Sequence, residues 1–128
     1  MLVYSFDNDI CFRAEYFFHN VYSDPNENIK DYEKFNRALN SKYGSTYRED
    51  LIWTNENFKL DNPDEYAEAV EVGLLGMYCE WRTDRTKLSN LLFGENYKCY
   101  MIIRYESLNP IEVESTPEED KQDLGNGL

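Results

Sequence analysis

Four carboxylates, Asp61, Asp64, Glu65 and Glu68, fall within eight residues and are a group of side chains capable of chemistry. Paired acids at such spacings serve glycoside hydrolysis or metal binding, but a solvated helical face rich in acid has the same spacing, and we expect the latter. Asp24-Pro25-Asn26-Glu27-Asn28 matches the first half of a calcium loop. Ile29 replaces the turn glycine and Phe35 the bidentate glutamate, so a helix-capping turn is the expectation there. Asp7-Asn8-Asp9 is read as a turn. The single histidine, His19, has no nearby Ser, Cys or second His motif and is expected to be a surface or capping residue. Cys11, Cys79 and Cys99 are three widely spaced thiols without a CxxC pair, which points to small buried hydrophobes in a reducing cytoplasm. No phosphate-binding glycine loop or nucleophile elbow occurs, so no catalytic residue, metal or cofactor is expected.

Composition points the same way. The chain has 128 residues, a net charge of −12 and twenty aromatic residues, eleven of them tyrosine. Tyrosine combines a large contact area with a polar tip, which suits binding more than acid–base catalysis. The acid is uneven: residues 49–71 hold eight carboxylates (Glu49, Asp50, Glu56, Asp61, Asp64, Glu65, Glu68 and Glu71) against Lys59 alone. Such a surface repels nucleic acid and anionic lipid and attracts a basic protein. No apolar run is long enough for a membrane span, and the first residues do not read as a signal peptide or lipoprotein leader.

The elements that must position these groups follow from periodicity. Val3–Phe6 and Ile10–Phe18 read as a β-hairpin, with Ile10, Phe12, Ala14, Tyr16 and Phe18 on one face. Asp31–Tyr43 reads as the main helix, carrying Tyr32, Phe35, Leu39 and Tyr43 as a stripe and Gly44 at its end. Tyr47–Thr54 is expected to be a strand. Segment 65–75 fits either a helix or a strand. Met77–Arg82, Lys87–Phe93 and Tyr97–Tyr105 alternate and are joined by short turns, which makes an antiparallel meander. The expected fold is therefore α+β: an antiparallel sheet built from the hairpin and the meander, with helix 31–43 packed on one face. Residues 1–110 form one domain in this reading, and 111–128 an acidic flexible tail.

Lys42-Tyr43-Gly44, Trp53, Trp81-Arg82-Thr83-Asp84-Arg85-Thr86 and Gly94-Glu95-Asn96-Tyr97 together resemble a loose group of small proteins and lipoproteins, mostly from Gram-positive bacteria, whose function is not settled. The likeness covers about residues 10–107. It implies the same α+β architecture and no particular activity.

Trp53 and Trp81 are expected in the core. Tyr4, Tyr22, Tyr47, Tyr66, Tyr78 and Tyr100 fall outside the core stripes. Tyr78 and Tyr100 belong on the sheet face carrying Glu80, Arg82, Ile102 and Arg104. That face is either an exposed aromatic interface or is covered by segment 65–75. The functional expectation is a small cytoplasmic, non-enzymatic inhibitor of the anti-defence, anti-CRISPR or toxin-immunity kind. It would occupy the basic, nucleic-acid-binding surface of a partner protein, without binding nucleic acid or membrane itself. Asp61, Asp64, Glu65 and Glu68 would supply charge, and Tyr66, Tyr78 and Tyr100 the anchors. The alternative is a structural or regulatory interaction module.

Overall fold

A computed structural model describes residues 1–7 and 10–108. Eight elements follow in order: β1 (Leu2–Asp7), β2 (Ile10–Phe18), α1 (Asn26–Tyr43), β3 (Arg48–Trp53), α2 (Tyr66–Glu71), β4 (Leu75–Arg82), β5 (Thr86–Glu95) and β6 (Lys98–Ser107). The strands make one six-stranded sheet in the order β1-β2-β6-β5-β4-β3, antiparallel at every pair. The α+β architecture with a hairpin, a meander and one long helix is as the sequence implied. The proposed 111–128 tail and the Asn8-Asp9 turn lie outside the described residues.

Helix α1 begins five residues earlier than its apolar stripe indicates. Pro25 holds the N-cap position with φ −62°, already helical, and Asp24 Oδ1 accepts from the Asn26 amide at 3.0 Å. The capping turn expected at Asp24–Asn28 is thus present and already contains the first turn of the helix. At the other end Gly44 adopts φ +87° and donates to Asn40 O at 2.8 Å. Segment 65–75 resolves into a 3-10 turn (Pro63–Glu65), the short helix α2, and a reversal at Gly73 (φ +83°) into β4. Asn62 Oδ1 starts this run by accepting from the Asp64 amide at 3.0 Å. Between β5 and β6, Asn96 and Tyr97 both take positive φ, the twist that a two-residue hairpin loop requires. The Tyr97 amide is tied to Glu71 O at 2.9 Å.

One expectation for β2 fails. Ser5 pairs with Arg13 and Phe6 with Cys11, which leaves Phe12 unpaired in a bulge. The stripe expected through Ile10, Phe12, Ala14, Tyr16 and Phe18 is therefore interrupted, because a bulge resets the alternation.

Both helices pack on the same side of the sheet, over β4 and β5, with α2 reaching β6. There Trp81, Leu75, Val70 and Cys79 are fully buried with Leu88, Leu92, Cys99 and Met101, and Tyr32 and Trp53 complete the cluster. Polar contacts also set α1 on the sheet. Trp81 Nε1 donates to Asn40 Oδ1 at 2.8 Å, and Asn90 Nδ2 donates to Asn36 Oδ1 at 2.9 Å. Burial pushes the Cys79 thiol up to about 12 and the Cys99 thiol to about 11, with Glu49 adding to the first and Glu71 to the second. Both are structural thiols, inert at neutral pH.

Candidate protein-binding surfaces

The seven residues singled out by sequence divide between two sides of the molecule. Asp61, Asp64, Glu65, Tyr66 and Glu68 lie on the connection from β3 to β4, whereas Tyr78 and Tyr100 lie on the sheet face away from the helices. The possibility that segment 65–75 covers the tyrosine face is overturned, because α2 packs beside α1 on the opposite side.

The β3–β4 connection is short of cations. Between Asn55 and Val72 six carboxylates face one lysine. Asp61, Asp64, Glu65 and Glu68 are all exposed, and among the described residues none of the four joins an ion pair. Tyr66 is half-buried and meets Trp53 edge-on at 5.7 Å, which roots α2 in the core. Ala67, Ala69 and Val70 turn inward, so the carboxylates of a six-residue helix have only the outer side left. Beside them runs a groove of about 290 Å³, floored by Leu60, Ala69, Val72 and Leu74 and rimmed by Glu65 and Glu68. The exposed ring of Phe58 belongs to the same connection. Sequence reasoning found the rim acids but missed the groove, since Leu60, Val72 and Leu74 come together only through the fold. The carboxylates are solvated, not held in the dry pocket that a general acid needs.

The sheet face opposite the helices has a different character, set by strand register. One row across it runs Arg48, Glu80, Ser89, Arg104 and Glu15; the next runs Arg82, Lys87, Glu106 and Arg13. Opposite charges pair both across strands and along β4. Arg104 Nη2 reaches Glu15 at 2.7 Å and Arg82 Nε reaches Glu80 at 2.6 Å, with Lys87 close to Glu80 at 3.9 Å. The Tyr78 hydroxyl donates to Glu80 at 2.6 Å. Burial and this hydrogen bond raise the Tyr78 phenol to about 12. For Glu80, burial works to raise its carboxyl, but hydrogen bonds from Tyr78 and Arg82 and the charge of Lys87 outweigh it and hold the group below the usual carboxylate range. Glu80 is 2% exposed although only one layer of side chains covers it. Arg82 lies over Tyr47 at 4.3 Å and Arg48 over Tyr78 at 5.3 Å. Tyr100 is stacked between His19 (4.7 Å) and Phe93 (5.5 Å), and His19 Nδ1 is 2.8 Å from Cys99 O.

Six basic and six acidic side chains (Arg13, Arg48, Arg82, Lys87, Lys98 and Arg104 against Asp7, Glu15, Asp50, Glu80, Glu95 and Glu106) share this face. In a chain of net charge −12 it is therefore the part that is not acidic. Tyr78 and Tyr100 are committed to neighbours here and stand apart from the acid.

No family model, curated protein or solved structure matches the chain. Among the described residues no helix is long and apolar enough to cross a membrane.

Proposed function

We propose that the protein is a non-enzymatic binding module whose Asn55–Val72 surface seats on a basic surface of a partner protein. The partner surface is one built for nucleic-acid phosphates, and occupying it inhibits the partner, as an anti-defence, anti-CRISPR or toxin-immunity protein would. The observation that carries this reading is the apolar groove of about 290 Å³ rimmed by Glu65 and Glu68. Unpaired carboxylates steer a cationic partner over the Debye length of about 8 Å, and Leu60, Val72 and Leu74 give it an apolar seat that slows release. Asp61 and Asp64 extend the negative field, and Tyr66 holds the platform in place. Tyr78 and Tyr100 have no part in this surface. The self-neutralised sheet face suits a basic partner less well.

Affinity capture from the native host tests the reading. The bait is compared in wild-type form, with Asp61, Asp64, Glu65 and Glu68 reversed to Lys, and with Arg82 and Lys87 reversed to Glu. Capture of a basic, nucleic-acid-binding protein that weakens with salt and is lost only in the first variant is expected. A partner insensitive to that reversal and to salt would reject the proposal.

A further inference from the structure

The helix layer covers only half of its side of the sheet. Helices α1 and α2 rest on β4, β5 and part of β6. Cover of β2 ends where Phe35 of α1 meets Phe18 at 5.0 Å. Beyond that line the same side of β1, β2 and β6 presents Leu2, Tyr4, Phe6, Tyr16 and Tyr105, each between 42% and 58% exposed. They are contiguous by register: Leu2 opposes Tyr16, Tyr4 opposes Ala14, and Ala14 opposes Tyr105. Tyr4 and Phe6 are 6.3 Å apart, and Tyr16 stacks on Phe18 at 4.7 Å. The charged residues of these strands that pair in the sheet, Asp7, Arg13, Glu15, Lys98, Arg104 and Glu106, all belong to the other face. In a chain so rich in acid, an uncharged aromatic half-face is a surface that avoids charge, and it is unlike either surface described above.

We infer that this half-face is a homodimer interface, its occupant the same half-face of a second copy packed across a twofold axis. Three observations select that occupant. The first is shape. A sheet stacked on a sheet sits about 10 Å away, close to the thickness of a helix layer, so a second copy's β1–β2–β6 fits the layer that α1 and α2 leave empty. The twofold then sets each copy's helix layer beside the other's free edge, and the step is complementary to itself. The second is area. With about 200 Å² on each of these side chains, the exposed fractions amount to roughly 500 Å² per copy, or about 1,000 Å² for the pair, the size of a weak, reversible interface. The third is charge. A second copy has the same net charge of −12 and must meet this one where neither carries charge. The acidic connection leaves β3, the strand farthest from β1, five spacings or about 24 Å away and beyond the Debye length. Repulsion between the acidic surfaces is then screened, and both remain free.

Sedimentation equilibrium on the full chain tests the inference. The expected result is a reversible monomer–dimer equilibrium in which the dimer fraction rises with protein concentration. Tyr4→Lys and Tyr16→Lys each place an ammonium group in the apolar contact and should weaken dimerisation more than tenfold. Both positions are exposed in one copy, so circular dichroism of the variants should match the wild type. The Asp61, Asp64, Glu65 and Glu68 reversal should leave dimerisation intact, which separates this interface from the proposed partner surface. A monomer at every concentration would overturn the inference. So would a dimer that survives both tyrosine substitutions, or one lost on reversing the acids.

Discussion

Gly94 on β5 lies under the last turn of α2, and replacing it gives a strong test of how the acidic surface is held. A Cβ at Gly94 would stand 2.0 Å from Val70 O, 2.7 Å from Val70 C and 2.9 Å from Glu71 Cα. All three are backbone atoms of α2, so no side chain can swing aside. Ordinary contact requires α2 to rise by more than an ångström, which opens space beneath Val70, Ala69 and Ala67, now 0%, 3% and 1% exposed. It also strains the Tyr97 amide bond to Glu71 O. Overpacking plus the void it opens should cost about 3 kcal/mol for Gly94→Ala. For a domain of this size that lowers Tm by roughly 10–20 °C. Gly76→Ala is the control, because its nearest neighbours are 3.8 Å away and the change should stay within about 1 kcal/mol. Differential scanning calorimetry reads both, and amide exchange across Tyr66–Glu71 shows whether α2 has lifted. A shift in Tm of less than 2 °C for Gly94→Ala, with α2 protection intact, would refute the close approach as the feature that seats α2. If the proposed partner surface is right, Gly94→Ala should also weaken capture of the basic partner, since Val72 and Leu74 move with α2.

Two other substitutions probe the framework. Glu80→Gln should lower stability at pH 7 by about 1–2 kcal/mol, less than a deeply buried charge would, because only one side-chain layer covers it. Its depressed carboxyl contributes stability above the ordinary value near 4.3, and that contribution is lost as pH falls through the folded-state value. The wild-type advantage in urea midpoint should therefore shrink below about pH 4, and an advantage unchanged from pH 7 to pH 3 would contradict the assignment. Asn40→Ala removes the acceptor for the Trp81 indole N–H and should cost about 1–3 kcal/mol in urea unfolding. A change near zero would mean that water replaces the amide.

Much of this molecule was legible in the chain. Strands β4, β5 and β6 alternate in side-chain character, the Tyr32, Phe35, Leu39 and Tyr43 stripe turns with the helical period, and Gly44 marks a helix end, because each is a local property of backbone geometry. Trp53 and Trp81 were placed in the core for the same reason. The cap at Asp24-Pro25 is legible too, but the helix start at Asn26 is not, since a capped first turn and a polar loop share a composition.

Tertiary structure alone decided which side each piece faces. Segment 65–75 carries both helical and extended signals, and its helix forms over Gly94 because only a residue without a side chain admits the α2 backbone there. The charge pairs of the open face depend on register between strands far apart in sequence: Glu15 meets Arg104 across 89 positions. The aromatic half-face exists because two helices cover a six-stranded sheet incompletely. Acid and tyrosine, adjacent in composition, end on different surfaces for the same reason. Side-chain direction repeats locally, but which strands become neighbours, and on which side a helix lands, is set by contacts between distant residues.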